Sequence, residues 1–257
     1  MSAPFPSVRF AGLRFTPMTV EASVRALAER PAQAPLSAFV TPNAEHAWLR
    51  RRDAEFAACG DTCFISTNDS RILGRAARLG GLELHFAPGA YVVRALFDQV
   101  IKPDTALTVI GGAEPMIADL RAQYGLTNLK QHIPPMGFIN KPDAVDEAIA
   151  FVAANPARFI FVAMGPPQSE KFCQRLIADG RATGLALCIG SSLTVLTGAA
   201  NPAPDWMEHS GLVWLYRLAT EPKRLWKRYL VRGMFGLGLA LRDALRLRLG
   251  LLKPTHV

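Results

Sequence analysis

The chain has 257 residues, 50% of them hydrophobic and 19% charged, with four cysteines and a net charge of +8. That length holds one large or two small domains and ample apolar material for a core, which excludes disorder as the main state. Ten Lys/Arg residues fall between positions 217 and 253 against Glu221 and Asp243, leaving 19 basic and 19 acidic residues elsewhere, so the excess charge belongs to the C-terminal tail.

In chain order, residues 1–15 read MSAPFPSVRFAGLRF, which lacks the basic region and apolar run of a secretory signal, so export is not expected. Helical and β-rich patterns then take turns. A helix is predicted over 19–30, a strand over 37–41, a helix over 44–58, a strand over 62–67 and a helix over 70–79. A strand at 82–86, a helix at 91–101, a strand at 107–111 and a helix at 114–124 follow. The series ends with a strand at 129–133, a helix at 143–154, a strand at 158–164, a helix at 167–179 and a strand at 185–189. Such alternation predicts an α/β domain with a mostly parallel sheet, whose ligands bind beyond the carboxyl ends of the strands.

After Pro204 the strand pattern stops, which divides the chain into an α/β catalytic domain over 1–204 and a helical appendage over 205–257. One helix is predicted from Asp205 to about Thr220 and a second, restarted at Glu221-Pro222, to about Leu249. At 100° per residue, Arg224, Arg228, Arg232, Arg242 and Arg246 fall within a sector of about 80°, with leucines on other faces: a basic amphipathic helix. Its longest uncharged stretch, 233–241, is too short to span a bilayer, which takes about 20 apolar residues. The appendage is therefore expected to lie on an anionic membrane surface, and a chain ending at Thr220 to stay folded without it.

Cys59 and Cys63 lack a second ligand pair at zinc spacing, and Cys173 and Cys188 sit in apolar surroundings, so buried reduced thiols and a cytosolic compartment are expected. His46, His85, His132, His209 and His256 show no metal spacing, and no metal or cofactor is expected.

Five strand-to-helix turns could carry chemistry. Thr41-Pro42-Asn43 caps a helix, meets a polar ligand with its side chains and the helix amides, or does both. At Asn68-Asp69-Ser70, Asp69 is either a plain N-cap or a general base that takes a proton from an attacking hydroxyl. Gly111-Gly112 makes a tight turn or lets the backbone approach a phosphate. Gly165, Pro167 and Glu170 open another helix, where Glu170 is a capping acid or a ligand contact. Gly190-Ser191-Ser192 is the fifth, and Met136-Gly137-Phe138 ends a further strand-like run. Together they suit a phosphate-bearing or sugar-bearing substrate. Neither G-x-G-x-x-G nor G-x-x-x-x-G-K-[ST] occurs, which weighs against a dinucleotide site or a P-loop. With no D-x-D triad, amides and Arg/Lys would have to balance a leaving diphosphate.

The tail string Gly211-Leu212-Val213-Trp214-Leu215-Tyr216-Arg217-Leu218-Ala219-Thr220-Glu221-Pro222-Lys223-Arg224, continued by Leu225-Trp226-Lys227-Arg228-Tyr229, resembles a G-L-E-W-L-Y-R-L-x-x-E-P-x-R-x-x-R-Y-like segment of the WecG/TagA/CpsF family of bacterial glycosyltransferases. Thr41-Pro42-Asn43 resembles that family's T-x-N, and Asp69 with Ala76-Ala77-Arg78-Leu79 resembles its P-D-G…A-A-R-L. Gly111-Gly112 is similar to its L-G-G, and Gly165, Pro167 and Glu170 to its G-x-P-x-Q-E; the likeness runs over roughly 36–232.

The resemblance implies a Rossmann-like fold and an inverting hexosyltransferase. It would move a hexose or N-acetylhexosamine from a UDP-sugar to a polyprenyl-diphosphate-linked sugar, at the inner face of the plasma membrane, for surface or exopolysaccharide synthesis. Asp69 would be the base, with Thr41 and Asn43 beside it. Gly111, Gly112, Gly137, Gly165, Pro167 and Glu170 would shape the donor site, and Arg217, Arg224, Lys227 and Arg228 would close over it and contact diphosphate. Ser169 stands where the family usually has Gln, Leu193-Thr194 where it has Phe-Asp and Pro202 where it often has Arg, while Asn68 and Ser70 flank Asp69 in place of Pro and Gly. These departures change the hydrogen bonds of the sugar pocket and leave another UDP-hexose, such as UDP-glucose, as open as the N-acetylmannosamine donor of the family's best-known case. An NAD(P)-dependent oxidoreductase and a membrane- or nucleic-acid-tethering module are the alternatives; the tail's leucines favour lipid over nucleic acid, and the sequence leaves room for a homo-oligomer.

Overall fold

The computed structural model describes residues 5–199 and 203–254; Pro202 and His256, weighed above, lie outside the described residues. A hairpin precedes the first predicted element. β1 (Val8–Phe10) and β2 (Leu13–Phe15) pair antiparallel around Ala11-Gly12, whose positive φ values of 54° and 76° suit a two-residue turn between right-twisted strands.

The alternation then follows as α1 (Val20–Glu29), β3 (Ser37–Val40), α2 (Ala44–Arg50), α3 (Ala54–Thr62), β4 (Ile65–Ser66), α4 (Arg71–Leu79) and α5 (Gly89–Gln99). It continues through β5 (Leu107–Gly111), α6 (Glu114–Tyr124), β6 (Leu129–His132), α7 (Pro142–Ala154), β7 (Phe159–Ala163), α8 (Gln168–Asp179), β8 (Leu185–Cys188) and α9 (Ser192–Leu196). The helix expected over 44–58 is two helices, because the Asp53 side chain accepts from Phe56 N and starts a new N-terminus. The strand expected over 82–86 does not form. Its neighbour β4 is two residues long, and Phe86 makes a single bridge to Asn68.

β3 to β8 form one fully parallel sheet in the order β4-β3-β8-β7-β5-β6. Parallel strands are covered on both faces, as the unbroken burial of Leu107–Gly111 requires. One face packs on α1, α5, α6 and α9 through Leu27, Val93, Leu96, Phe97, Leu120 and Leu193. The other packs on α3, α7 and α8 through Cys59, Ala148, Val152, Phe172 and Leu176. The helix after β5 lies on the first face and the helix after β7 on the second, so their loops part and open a crevice. The loops after β3 and β8 part in the same way. Two switch points therefore lie on one carboxyl edge.

All four cysteines are buried and free, with Cys173 Sγ 3.3 Å from Cys188 Sγ. Burial pushes the Cys63 thiol up to about 12, as expected of inert core thiols.

In the tail, Gly211 at φ 79° separates α10 (Asp205–Ser210) from α11 (Val213–Thr220), where one helix was expected. Then α12 (Pro222–Trp226), a π-helical turn (Lys227–Gly233) and α13 (Met234–Arg248) run on without a break. Among the described residues no helix is long and apolar enough to cross a membrane.

This last helix docks closely. A Cβ on Gly236 would strike the Ala44 backbone, and one on Gly80 would lie 2.9 Å from Ala244 Cα. Leu239, Ala240 and Ala244 share a core with Phe10, Phe15, Leu73 and Ala77 of the hairpin and α4. Asp243, buried, accepts from Ala11 N at 3.0 Å. Removing α13 would uncover that core, so a chain ending at Thr220 is expected to lose stability.

Candidate functional site

Because the sheet is parallel, the ends of all six strands meet on one edge. At the β4 end, Ser70 is the N-cap of α4, its hydroxyl accepting from Leu73 N at 3.2 Å. Asp69 therefore has no capping duty. Its own N–H donates to Pro42 O at 3.1 Å, which ties the two strand-end loops together.

Protein atoms crowd the Asp69 carboxyl, and burial pushes it up to about 6 against the opposing pull of Arg217, His46, Arg228 and the Asn43 side chain. A carboxylate with that midpoint is half-ionised just below neutrality and is poised to accept a proton at physiological pH.

Asn43 is the N-cap of α2, its Oδ1 accepting from Glu45 N at 3.0 Å, so the capping and pocket-lining readings hold together. Thr41 is buried. Its hydroxyl and that of Ser192 converge on the bare backbone of Gly89, where a Cβ would lie 3.2 and 3.4 Å from them. Arg217 of α11 reaches over this crevice, Nη2 to Ser191 Oγ at 3.4 Å. Asp69, Asn43, Thr41 and Arg217 are thus brought together.

The glycine turns sit farther along. The ends of β4 and β5 are four strand spacings apart, roughly 19 Å. Gly111 and Gly112 have φ of 85° and 76°, and the space of their missing side chains is taken by Met164 and Met116. Gly137, φ 71°, starts a 3₁₀ turn over Phe138–Asn140, and Pro167 is the N-cap of α8. A Cβ on Gly137 or Gly165 would meet open space.

Glu170, in the first turn of α8, is buried beneath this edge. It is 4% exposed, accepts from Ser169 Oγ at 2.8 Å and faces His46 Nε2 at 3.3 Å.

The tail's cations also divide. Arg228 Nε and Arg232 Nη1 bind the two oxygens of buried Glu45 at 2.8 and 2.9 Å. Arg224 pairs with Glu221 at 2.6 Å on its own helix, and Lys227 Nζ lies 5.4 Å from the Trp226 ring centroid. The five-arginine stripe is thus not a free surface, since two of its members are turned inward onto the body.

Glu45 and His46 were not singled out from the sequence. The signal that could have found His46 is its place at the third residue after the cap, where a side chain can reach back to the cap backbone; here Asn43 N donates to His46 Nδ1 at 3.3 Å. Glu45 left no more than an acid in a first turn.

A half-buried carboxylate with a raised midpoint under a guanidinium, with open glycine turns along the same edge, can deprotonate a hydroxyl beside a bound anionic group. The model for the glycosyl transferase WecG/TagA/CpsF family matches residues 8–250, taking in the hairpin and α13 beyond the stretch that the motifs marked, and the chain belongs to that family of glycosyltransferases.

Proposed function

We propose that this glycosyltransferase moves a hexose or N-acetylhexosamine from a UDP-sugar to a polyprenyl-diphosphate-linked sugar by single displacement with inversion, in cell-surface or exopolysaccharide synthesis. The observation that carries the reading is Asp69, released from capping by Ser70 and raised to about 6 beneath Arg217. Its carboxylate takes the proton of the acceptor hydroxyl while that oxygen bonds to the anomeric carbon. The bond from that carbon to the diphosphate oxygen breaks on the opposite face, and UDP departs. Arg217 and the strand-end amides stabilise the negative charge that develops on the leaving oxygen. Thr41 and Asn43 orient the acceptor side, and the turns at Gly111, Gly112, Gly137 and Gly165 with Pro167 hold the donor. Thr194 and the buried Ser169, which is bonded to Glu170, stand in place of longer polar side chains and change the hydrogen bonds open to the donor sugar.

The exposed side of the last helices carries Leu230, Val231, Met234, Leu241, Leu245 and Leu249 beside Lys227, Arg246 and Arg248. We place this side on the anionic inner leaflet, where the lipid-linked acceptor resides.

A panel of UDP-sugars and lipid-linked acceptors, with products weighed by mass spectrometry and anomeric configuration read by NMR, tests the reaction. Transfer with retention, or transfer from none of the UDP-sugars, would overturn it. Cosedimentation with phosphatidylglycerol vesicles tests the surface: Leu241→Glu with Leu245→Glu should abolish it.

A further inference from the structure

Asn43 is gripped from two sides. Its backbone N–H donates to His46 Nδ1 at 3.3 Å, while the carbonyl of the same peptide, Pro42 O, accepts from Asp69 N–H at 3.1 Å, and its side chain is one of the groups that hold the Asp69 carboxyl down. With Nδ1 accepting, the ring proton sits on Nε2 and points at Glu170 Oε1, 3.3 Å away and 124 residues on in sequence. Were the ring doubly protonated, Nδ1–H would donate instead to Asn43 Oδ1 at 3.1 Å, and the Glu170 contact would be kept. Either form of the ring holds Asn43.

The His46 and Glu170 side chains are 8% and 5% exposed, so water does not compete. Capping α2 needs no more than Asn43 Oδ1 on Glu45 N; a carboxylate and an imidazole buried behind that cap exceed the need, and burying them is costly unless they serve something. The groups facing Asp69 are Asn43 and His46 from α2, Arg217 from α11 and Arg228 from the π-helical turn. Glu170 of α8 faces His46, and Glu45 faces Arg228.

We propose that His46, backed by Glu170, is a positioning residue for Asp69 that acts through Asn43, fixing the Pro42–Asn43 peptide that accepts from Asp69 N–H and, with it, the Asn43 side chain beside the base. This also gives Glu170 a task other than donor contact. It rests on the reading of Asp69 as the base, yet it can be tested without substrate.

The experiment is a pH titration of the full chain carrying ¹³C-labelled aspartate, the Asp69 Cγ resonance being identified by its loss in Asp69→Asn. The parent midpoint is expected near 6. His46→Phe should raise it by about one pH unit, the size of losing a hydrogen bond to the charged form. His46→Gln, whose amide can accept from Asn43 N–H and donate to Glu170, should recover most of the shift. In an Asn43→Ala background His46→Phe should add less than it does in the parent, the remainder being the direct pull of the ring on Asp69. A natively folded His46→Phe with an unmoved midpoint would overturn the proposal, as would an equal further shift in the Asn43→Ala background. Should the Phe variant not fold, His46→Asn, too short to reach Glu170, carries the same expectations. A midpoint that responds as expected in an enzyme whose Asp69→Asn form keeps full turnover would leave the clamp standing and sink the catalytic reading instead.

Discussion

At the β3/β8 crevice the loops present Thr41 and Asn43, joined by Asp69 from the β4 loop, with Arg217 overhead, whereas at the β5/β7 crevice they present Gly111, Gly112 and Gly165, with the exposed Glu114 at the start of α6. The same sheet edge thus carries an electrically stressed end and an end built mainly from backbone. The difference teaches how the proposed UDP-sugar would be laid along it: the bond to be broken would lie at the stressed end, and the rest of the donor against amides that need no proton chemistry.

The sharpest break is Asp69→Asn, expected to lower turnover by about 10² to 10⁴, the usual contribution of a general base. Its effect on stability has the opposite sign. Because the folded midpoint of about 6 lies above the ordinary carboxylate value of 3.8, ionising Asp69 destabilises the fold, by nothing below about pH 4 and fully above about pH 6. The variant should therefore be more stable than the parent at pH 7.5 by about 1–3 kcal/mol, and equal to it near pH 4, in denaturant melts. By the same logic, parent turnover should rise with pH through about 6.

Ending the chain at Thr220 removes Leu239, Ala240 and Ala244 from a buried cluster and should cost about 3 kcal/mol, seen as a lower denaturation midpoint. Arg217→Ala, striking the charged crevice alone, should lower kcat by about 10²-fold with melting unchanged. Gly112→Ala strikes the other crevice. The positive φ should cost about 1–2 kcal/mol, and donor KM should rise while the pH profile stays in place. A pH profile moved by Gly112→Ala would erase the distinction between the two ends.

Much of this edge was legible in the sequence because strand-to-helix turns are local. The strand at Leu107–Gly111 and the helix at Glu114–Tyr124 match the reading residue for residue, and the loops at Asn43, Asp69 and Gly112 fall where alternation puts them. What escaped depends on distant partners or on one cap. The 82–86 run has strand composition but lies beside a β4 too short to extend a ladder. Asp53 restarts a helix inside a continuous helical pattern. The hairpin was readable, since VRF and LRF flank an Ala-Gly turn. Which cations are free was not: Arg228 and Arg232 share a stripe with Arg224 and Arg246, and nothing local tells that Glu45, more than 180 residues earlier, takes two of them.

The turn of the tail at Lys227–Gly233 is π-helical. Such a turn carries one residue more than the α-helix around it, which offsets everything downstream by about 100°. One continuous helix is thereby two rotors out of phase. Upstream, the phase is set by the crevice that α11 overhangs; downstream, Gly236 and Ala240 meet α2 and the hairpin core. Excising a single residue there would restore α-helical hydrogen bonding while aiming the leucines inward and the small residues out. The tail's place on the body is therefore a matter of residue count as much as of residue type.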